Sequence, residues 1–370
     1  METVSELLHT KEIIICLGSG GAGKTTVAAG IALEGACRGR STIAITVDPA
    51  KRLASAMGLK ERGGERARID EGRLLEAGLS PKGSLDVMLL DVRATFDSLV
   101  CRLAPTASAR DKILSNSYYR TIADSLSGSH EYMAMEALLT VYEERRHGLI
   151  VVDTPPSRHF LDFLSAPRRL IELLDTPQLR WLARGGNIIN RITLGITRAW
   201  SNIALGAVER VVGVDVLRDI WNFFLDIECI NAPLRKRAEK VFEVLRSPGT
   251  AFLIVSKPDE SSLEDAASLY EKLKDEGYPV SGVIVNRLYS ALGELGSNGG
   301  ASLAELEGLG RKVLSCCTDF KRLRASQVEC LKRLESVISK DSLIVSLPEL
   351  DDEVYDLSGL VRIKEHIFGC

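Results

Sequence analysis

Gly18 to Thr26 read GSGGAGKTT and fit the pattern G-x-x-x-x-G-K-[ST]. These residue types suit a polyphosphate. Gly18, Gly20, Gly21 and Gly23, with the small Ser19 and Ala22 between them, let backbone N–H groups turn inward without side-chain clash. A helix opening directly after such a loop adds its positive N-terminal end. Lys24 supplies a point charge for the β- and γ-phosphates, the Thr25 hydroxyl is a ligand for Mg2+, and Thr26 closes the segment. Two carboxylates extend the set. Asp153 ends the apolar run Leu149-Ile150-Val151-Val152, where an acid beside the metal is expected; the alternative is a helix cap ahead of Thr154-Pro155-Pro156. Asp48 ends another run in Val47-Asp48-Pro49-Ala50. There it can orient an attacking water, because ligands of open α/β sheets lie at strand C-termini. Its alternative is an N-cap before a helix over Ala50–Met57, with Pro49 in the first helical position.

These residues need a frame. Lys11 to Leu17 predicts a buried strand, Thr25 to Arg38 an alanine-rich helix, and Ser41 to Val47 a second strand, which together form a βαβ unit. Further strands are expected at Leu85–Val92, Leu149–Asp153, Ala251–Ser256, Val280–Val285 and Leu343–Val345. Helices are expected at about 259–276, 301–337 and 355–367. Gly63 to Gly83 reads as a polar loop or weak helix, and Ala291 to Ser302 as a glycine-containing loop. The alternation predicts an α/β fold, a mostly parallel P-loop NTPase sheet covered by helices on both faces. The helical stretches near 95–147 and 157–246 predict an inserted helical subdomain within a single P-loop domain spanning 1–370. One phosphate loop implies one nucleotide site.

Composition narrows the options. A net charge of −3 over 370 residues gives no polycationic field, so nucleic acid is not an expected partner. No apolar run reaches the roughly 18 residues of a membrane span, so membrane association is at most peripheral. Glu2, Glu6 and Lys11 break up the N-terminal apolar stretches, unlike a signal peptide, and a cytoplasmic location is the expectation. The eight cysteines form no C-x-x-C pair, so a structural zinc site is not expected. The adjacent Cys316 and Cys317 have the softness for arsenite or a soft metal, but two thiolates without a third make a poor site.

The ordered motifs resemble the ArsA-type ATPases, the group containing the arsenite-pump ATPase and the guided-entry targeting ATPases of tail-anchored membrane proteins. GSGGAGKTT resembles the family's deviant Walker A. VDPAKRLASAMG, Val47 to Gly58, is similar to its switch I, which assigns the catalytic aspartate to Asp48 beside Pro49. DTPPSRHFLDFL, Asp153 to Leu164, is similar to switch II, with Thr154, Pro155 and His159 on family positions. VNR, Val285 to Arg287, resembles the segment whose asparagine recognises adenine, which implies Asn286. SLPEL, Ser346 to Leu350, resembles a loop beside the base, which implies Pro348. The resemblance implies Mg2+ and ATP as ligands, ATP hydrolysis as a conformational switch, and a homodimer or a heterodimer with a homologous ATPase. There are departures. Ser19 stands where the family usually has a signature lysine, and the arsenite cysteines and the zinc-binding C-x-x-C have no evident counterparts.

Ile189, Ile192, Ile196, Trp200 and Ile203 recur at helical spacing, readable as core packing or as a groove for a hydrophobic protein client. His130, Glu131 and Glu136 read as solvent-exposed helix positions rather than metal ligands. Two other functions stay open at this point: a nucleotide-binding regulatory subunit with little hydrolysis, suggested by Ser19, and a ParA- or MinD-like positioning ATPase.

Overall fold

Runs of isoleucine, valine and leucine lay down the strands. The computed structural model describes residues 3–47, 57, 66–116, 129–155, 160–175, 214–290, 309–350, 354 and 356–369. Among them, β1 (Ile13–Leu17), β2 (Thr42–Thr46), β3 (Arg66–Arg68), β4 (Leu85–Leu89), β5 (Leu149–Asp153), β6 (Thr250–Ser256), β7 (Val280–Leu288) and β8 (Leu343–Pro348) form a sheet of order β3-β4-β2-β5-β1-β6-β7-β8. Every pairing is parallel except β3 with β4. The expected α/β sheet is therefore present. β1, β2, β4, β5 and β6 are buried along their whole length, as a parallel sheet covered on both faces requires.

The chain divides into two compact units. The first comprises residues 1–89, 141–160 and 245–370 and carries the sheet. Its helices are α1 (Val4–Thr10), α2 (Lys24–Cys37) and α3 (Glu71–Glu76), followed much later in the chain by three more, described below. α2 is buried almost throughout, and its core cluster joins Ile14 and Cys16 of β1 to Leu7 and Leu8 of α1. The second unit comprises residues 90–140 and 161–244. It is built from α4 (Val92–Leu103), α5 (Ala107–Ser115), most of α6 (Ser129–Glu144), α7 (Phe160–Asp175) and α8 (Val214–Leu245). Its apolar clusters join Leu99, Tyr132, Met133, Ala166, Leu234 and Ala238, and separately Val100, Ile113 and Ile230.

The remaining helices of the first unit are α9 (Glu260–Asp275), α10 (Leu309–Val337) and α11 (Leu357–Phe368). α11 lies along α2, where the absence of a side chain at Gly30 admits Ile363 and Ile367. Glu34 of α2 holds Lys364 of α11 at 3.0 Å and Arg38 at 2.8 Å.

Three local departures from the sequence expectations have simple causes. α1 lacks a long periodic run, but Thr3 and Glu6 form a reciprocal capping box that starts it. The strand expected over Leu85–Val92 stops at Leu89, because the Asp91 side chain accepts from Ala94 N at 2.9 Å and opens α4. The polar segment expected as loop or weak helix contains β3 as well as α3; Arg68 of β3 is fixed by Asp86 of β4, with Nε to Oδ1 at 2.6 Å.

Candidate nucleotide site

The phosphate loop leaves the C-terminal end of β1, between β5 and β6. Leu17 pairs with Ile254, so the loop begins against the last residues of β6. Gly18 has φ +138°, and a Cβ there would stand 3.0 Å from the Val255 carbonyl carbon and closer still to its oxygen. Gly23, the N-cap of α2, has φ +93°, and a Cβ there would meet the Asn286 amide nitrogen. Glycine is thus required at both positions by backbone conformation and by close approach. Gly20 and Gly21 are exposed at the loop tip, while Ala22 is buried.

Lys24 is buried at 5% exposure. Its ammonium donates to the carbonyls of Gly18 at 2.9 Å and Ser19 at 3.0 Å, which holds the charge inside the curve of the loop. The Thr25 hydroxyl donates to Asp153 Oδ2 at 2.8 Å. This bond uses the hydroxyl proton and leaves oxygen lone pairs for a hard cation, so a threonine oxygen beside a carboxylate matches the all-oxygen preference of Mg2+. Asp153 is fully buried at the end of β5 and also accepts from Thr46 Oγ1 at 3.1 Å. The acid is therefore a strand-end carboxylate that accepts from two hydroxyls.

Thr154 is buried and donates to the Cys16 carbonyl at 2.8 Å, locking the start of the segment after β5 to β1; Pro155 follows half-buried. Cys16 is inert in this setting, because burial, with the Asp153 carboxylate near it, pushes its thiol far above the ordinary range. Val47 N donates to the Asp153 carbonyl at 3.0 Å, so the residue before Asp48 is tied to the backbone of the buried acid. Asp48, Pro49 and His159 lie outside the described residues, as do the glycine-containing loop at 291–302 and the apolar series Ile189 to Ile203.

Asn286, Arg287 and Pro348 gather at the C-terminal ends of β7 and β8, where Leu288 pairs with Pro348. Asn286 is buried and donates from Nδ2 to the Ala22 carbonyl at 2.9 Å, while its Oδ1 accepts from Arg287 N at 3.0 Å. It thereby braces the phosphate loop. Arg287 has φ +67°, a left-handed conformation for a residue with a side chain, and its guanidinium stands 3.9 Å from the Glu349 carboxylate.

Two neighbours of the site were missed by motif reading. Thr46 could have been found only by placing β2 beside β5. Lys257 follows β6, and a Cβ on Gly21 would lie 3.3 Å from its ammonium nitrogen. One expectation in the helical unit is overturned. Glu136 is not solvent-exposed but 1% exposed, and it pairs with Arg237 at 2.6 Å. Among the described residues no cluster of His, Cys, Asp or Glu could hold a metal ion.

A parallel sheet with a glycine loop between its central strand and a buried helix, faced by a strand-end carboxylate, defines a P-loop NTPase. Residues 11–180 match the family described as anion-transporting ATPase, ArsA_ATPase. ATPase get3 of Aspergillus terreus is 31% identical over 159 residues, covering 42% of this chain and 43% of that protein. A protein of Aquifex aeolicus described as a candidate arsenical pump-driving ATPase is 22% identical over 363 residues, covering 96% of this chain and 78% of that protein. Over residues 11–180 the chain is similar to the ArsA-type ATPases, and it spans less than half the length of the Aspergillus relative.

Proposed function

We propose that this chain binds Mg2+–ATP at the Gly18–Thr26 loop and hydrolyses it as a conformational switch. The arrangement of Lys24, Thr25 and Asp153 carries the reading: a buried ammonium inside a glycine loop, with a hydroxyl and a carboxylate oxygen 2.8 Å apart beside it. In this scheme the loop N–H groups and Lys24 bind the phosphates and neutralise charge that develops on them. Thr25 would hold Mg2+ directly and Asp153 would orient the metal's outer ligands; the bound metal supplies Lewis acidity toward the phosphate oxygens. Asp48, one residue beyond the Val47–Asp153 backbone bond, orients the attacking water. Asn286, Arg287 and Pro348 form the adenine side. Asn286 retains amide hydrogen-bonding capacity beyond its bonds to Ala22 and Arg287.

The switch segments are those beginning at Asp48 and Asp153, with Pro49, Thr154, Pro155 and His159 among their residues. The second runs along the chain directly into α7, so loss of the γ-phosphate has a covalent route to the helical unit. Dimerisation with a second copy or with a homologous ATPase, and capture of a hydrophobic protein client, belong to the same proposal, in line with the relatives' family. Magnesium-dependent ATP turnover by the purified chain, compared with Lys24→Met and Asp48→Asn, tests it. Both substitutions are expected to abolish turnover. Equal, robust rates in Asp48→Asn would remove that residue's role, and absence of nucleotide uptake by folded wild type would remove the whole reading. Ser19 favours one second reading, a regulatory subunit with little hydrolysis of its own. Brisk turnover by the isolated chain would eliminate it.

A further inference from the structure

We infer that Lys257 is a second phosphate-binding cation of this site, supplied by the strand beside the loop. The inference rests on the nucleotide-binding reading above. Within the loop Lys24 is the only cation, because its second residue is Ser19. A magnesium–nucleoside triphosphate keeps more negative charge than one ammonium offsets, and exposed N–H groups of the loop tip do not supply a full charge.

β6 delivers the second cation. Leu17 pairs with Ile254, Gly18 packs on Val255, and the chain continues through Ser256 to Lys257 at the level of the loop tip. A Cβ on Gly21 would stand 3.3 Å from Lys257 Nζ and 3.6 Å from its Cε. The end of the side chain therefore lies over the part of the loop whose amides cradle phosphate. Gly21 itself is exposed and Lys257 half-buried, so the ammonium borders the space open to a ligand.

The segment carrying Lys257 is firmly held. The single Ser256 hydroxyl proton is directed to the Ser262 carbonyl at 2.8 Å, with the Lys257 carbonyl 3.2 Å from the same oxygen. The nearest acids along the chain have other partners. Asp259 accepts from Ser262 N at 3.0 Å as the cap of α9, and Glu260 pairs with Arg333 at 2.7 Å. A lysine ammonium fits this role as a compact point charge on a flexible stem.

Calorimetric titration of the full chain with Mg2+–ATP, Mg2+–ADP and adenosine, at low and high salt, tests the inference in wild type, Lys257→Met and Lys257→Arg. The expected result is a loss of affinity for the phosphorylated ligands of about tenfold or more in Lys257→Met, the effect of one charge-assisted hydrogen bond. Adenosine affinity should be unchanged, the salt dependence of nucleotide binding should become shallower, and Lys257→Arg should retain most of the affinity. Unchanged Mg2+–ATP and Mg2+–ADP affinity in folded Lys257→Met, or an equal loss for adenosine, would overturn the assignment while leaving the nucleotide site intact. If Lys257→Met does not fold, Lys257→Gln carries the same comparison. Failure of wild type to take up nucleotide would overturn both readings.

Discussion

Gly18→Ala measures how tightly the phosphate loop is seated on β6. Two costs combine at this position. Its φ of +138° lies in territory that side chains rarely enter, and holding alanine there costs about 1–3 kcal/mol. The new Cβ would also fall within 3.0 Å of the Val255 carbonyl carbon and closer to its oxygen. Val255 is fully buried in β6, which is paired with β1 on one side and β7 on the other, so the carbonyl has little room to retreat. Overpacking of this kind costs about a further 1–3 kcal/mol, giving a total of about 2–6 kcal/mol. Gly78 is the control: it also has positive φ, +81°, but a Cβ there meets nothing within 4 Å. Gly78→Ala should therefore cost only the conformational part, about 1–2 kcal/mol. Urea unfolding of both variants separates the terms, and nucleotide titration should show weakened binding in Gly18→Ala alone. Equal midpoints for the two variants, with equal nucleotide affinity, would refute the close seating of the loop on the strand.

Asp153→Asn keeps an oxygen to accept from Thr25 and Thr46 but removes the charge, and should lower magnesium-dependent turnover by about 10–100-fold with metal-free nucleotide binding largely kept, as parallel kinetics and titration would show. Arg237→Met strands the buried Glu136 carboxylate and should cost about 3–5 kcal/mol, whereas adding Glu136→Leu should recover most of it; hydrogen exchange over α6 reads both. Burial raises the Asp86 carboxyl, but the Arg68 and His147 hydrogen bonds and the Arg68 charge outweigh it, leaving the group below its ordinary value. The stability it contributes is then complete above the unfolded value of about 4 and is lost as pH falls through the depressed folded value. Acid unfolding followed by circular dichroism should accordingly be shallower in Asp86→Asn than in wild type.

The central sheet was legible because its strands are buried on both faces and so appear in sequence as unbroken apolar runs, such as Ile13-Ile14-Ile15 or Leu149-Ile150-Val151-Val152. Its edge was not. β3 reads Arg-Ala-Arg and owes its place to pairing with β4 and to the Arg68–Asp86 contact, neither of which leaves a hydrophobic signature. Glu136 was misjudged for a related reason. Residue type suggested solvent, but its partner Arg237 lies on a different helix about a hundred positions later, and only tertiary packing makes the pair.

The site divides along the same line. Lys24 and Thr25 belong to a local motif and are fixed by one turn of chain, so spacing alone finds them. Thr46, Asp153 and Lys257 reach the same place from three other strands, and what unites them is the strand order β2-β5-β1-β6. From β1 the chain first builds outward through β2 to the edge strand β3, comes back through β4 and β5, and then continues on the opposite side as β6, β7 and β8. Such a reversal opens a crevice at the carboxyl ends of the strands flanking it, where open α/β sheets bind their ligands. The loop after β1 lies at that end of the sheet, with Asp153 at the end of β5 on one side and Lys257 just after β6 on the other. The charge arrangement is thus a property of topology as much as of motif. It predicts that a chain with the same phosphate loop but a different strand beside β1 would lose the cation over the Gly21 end of the loop while keeping Lys24.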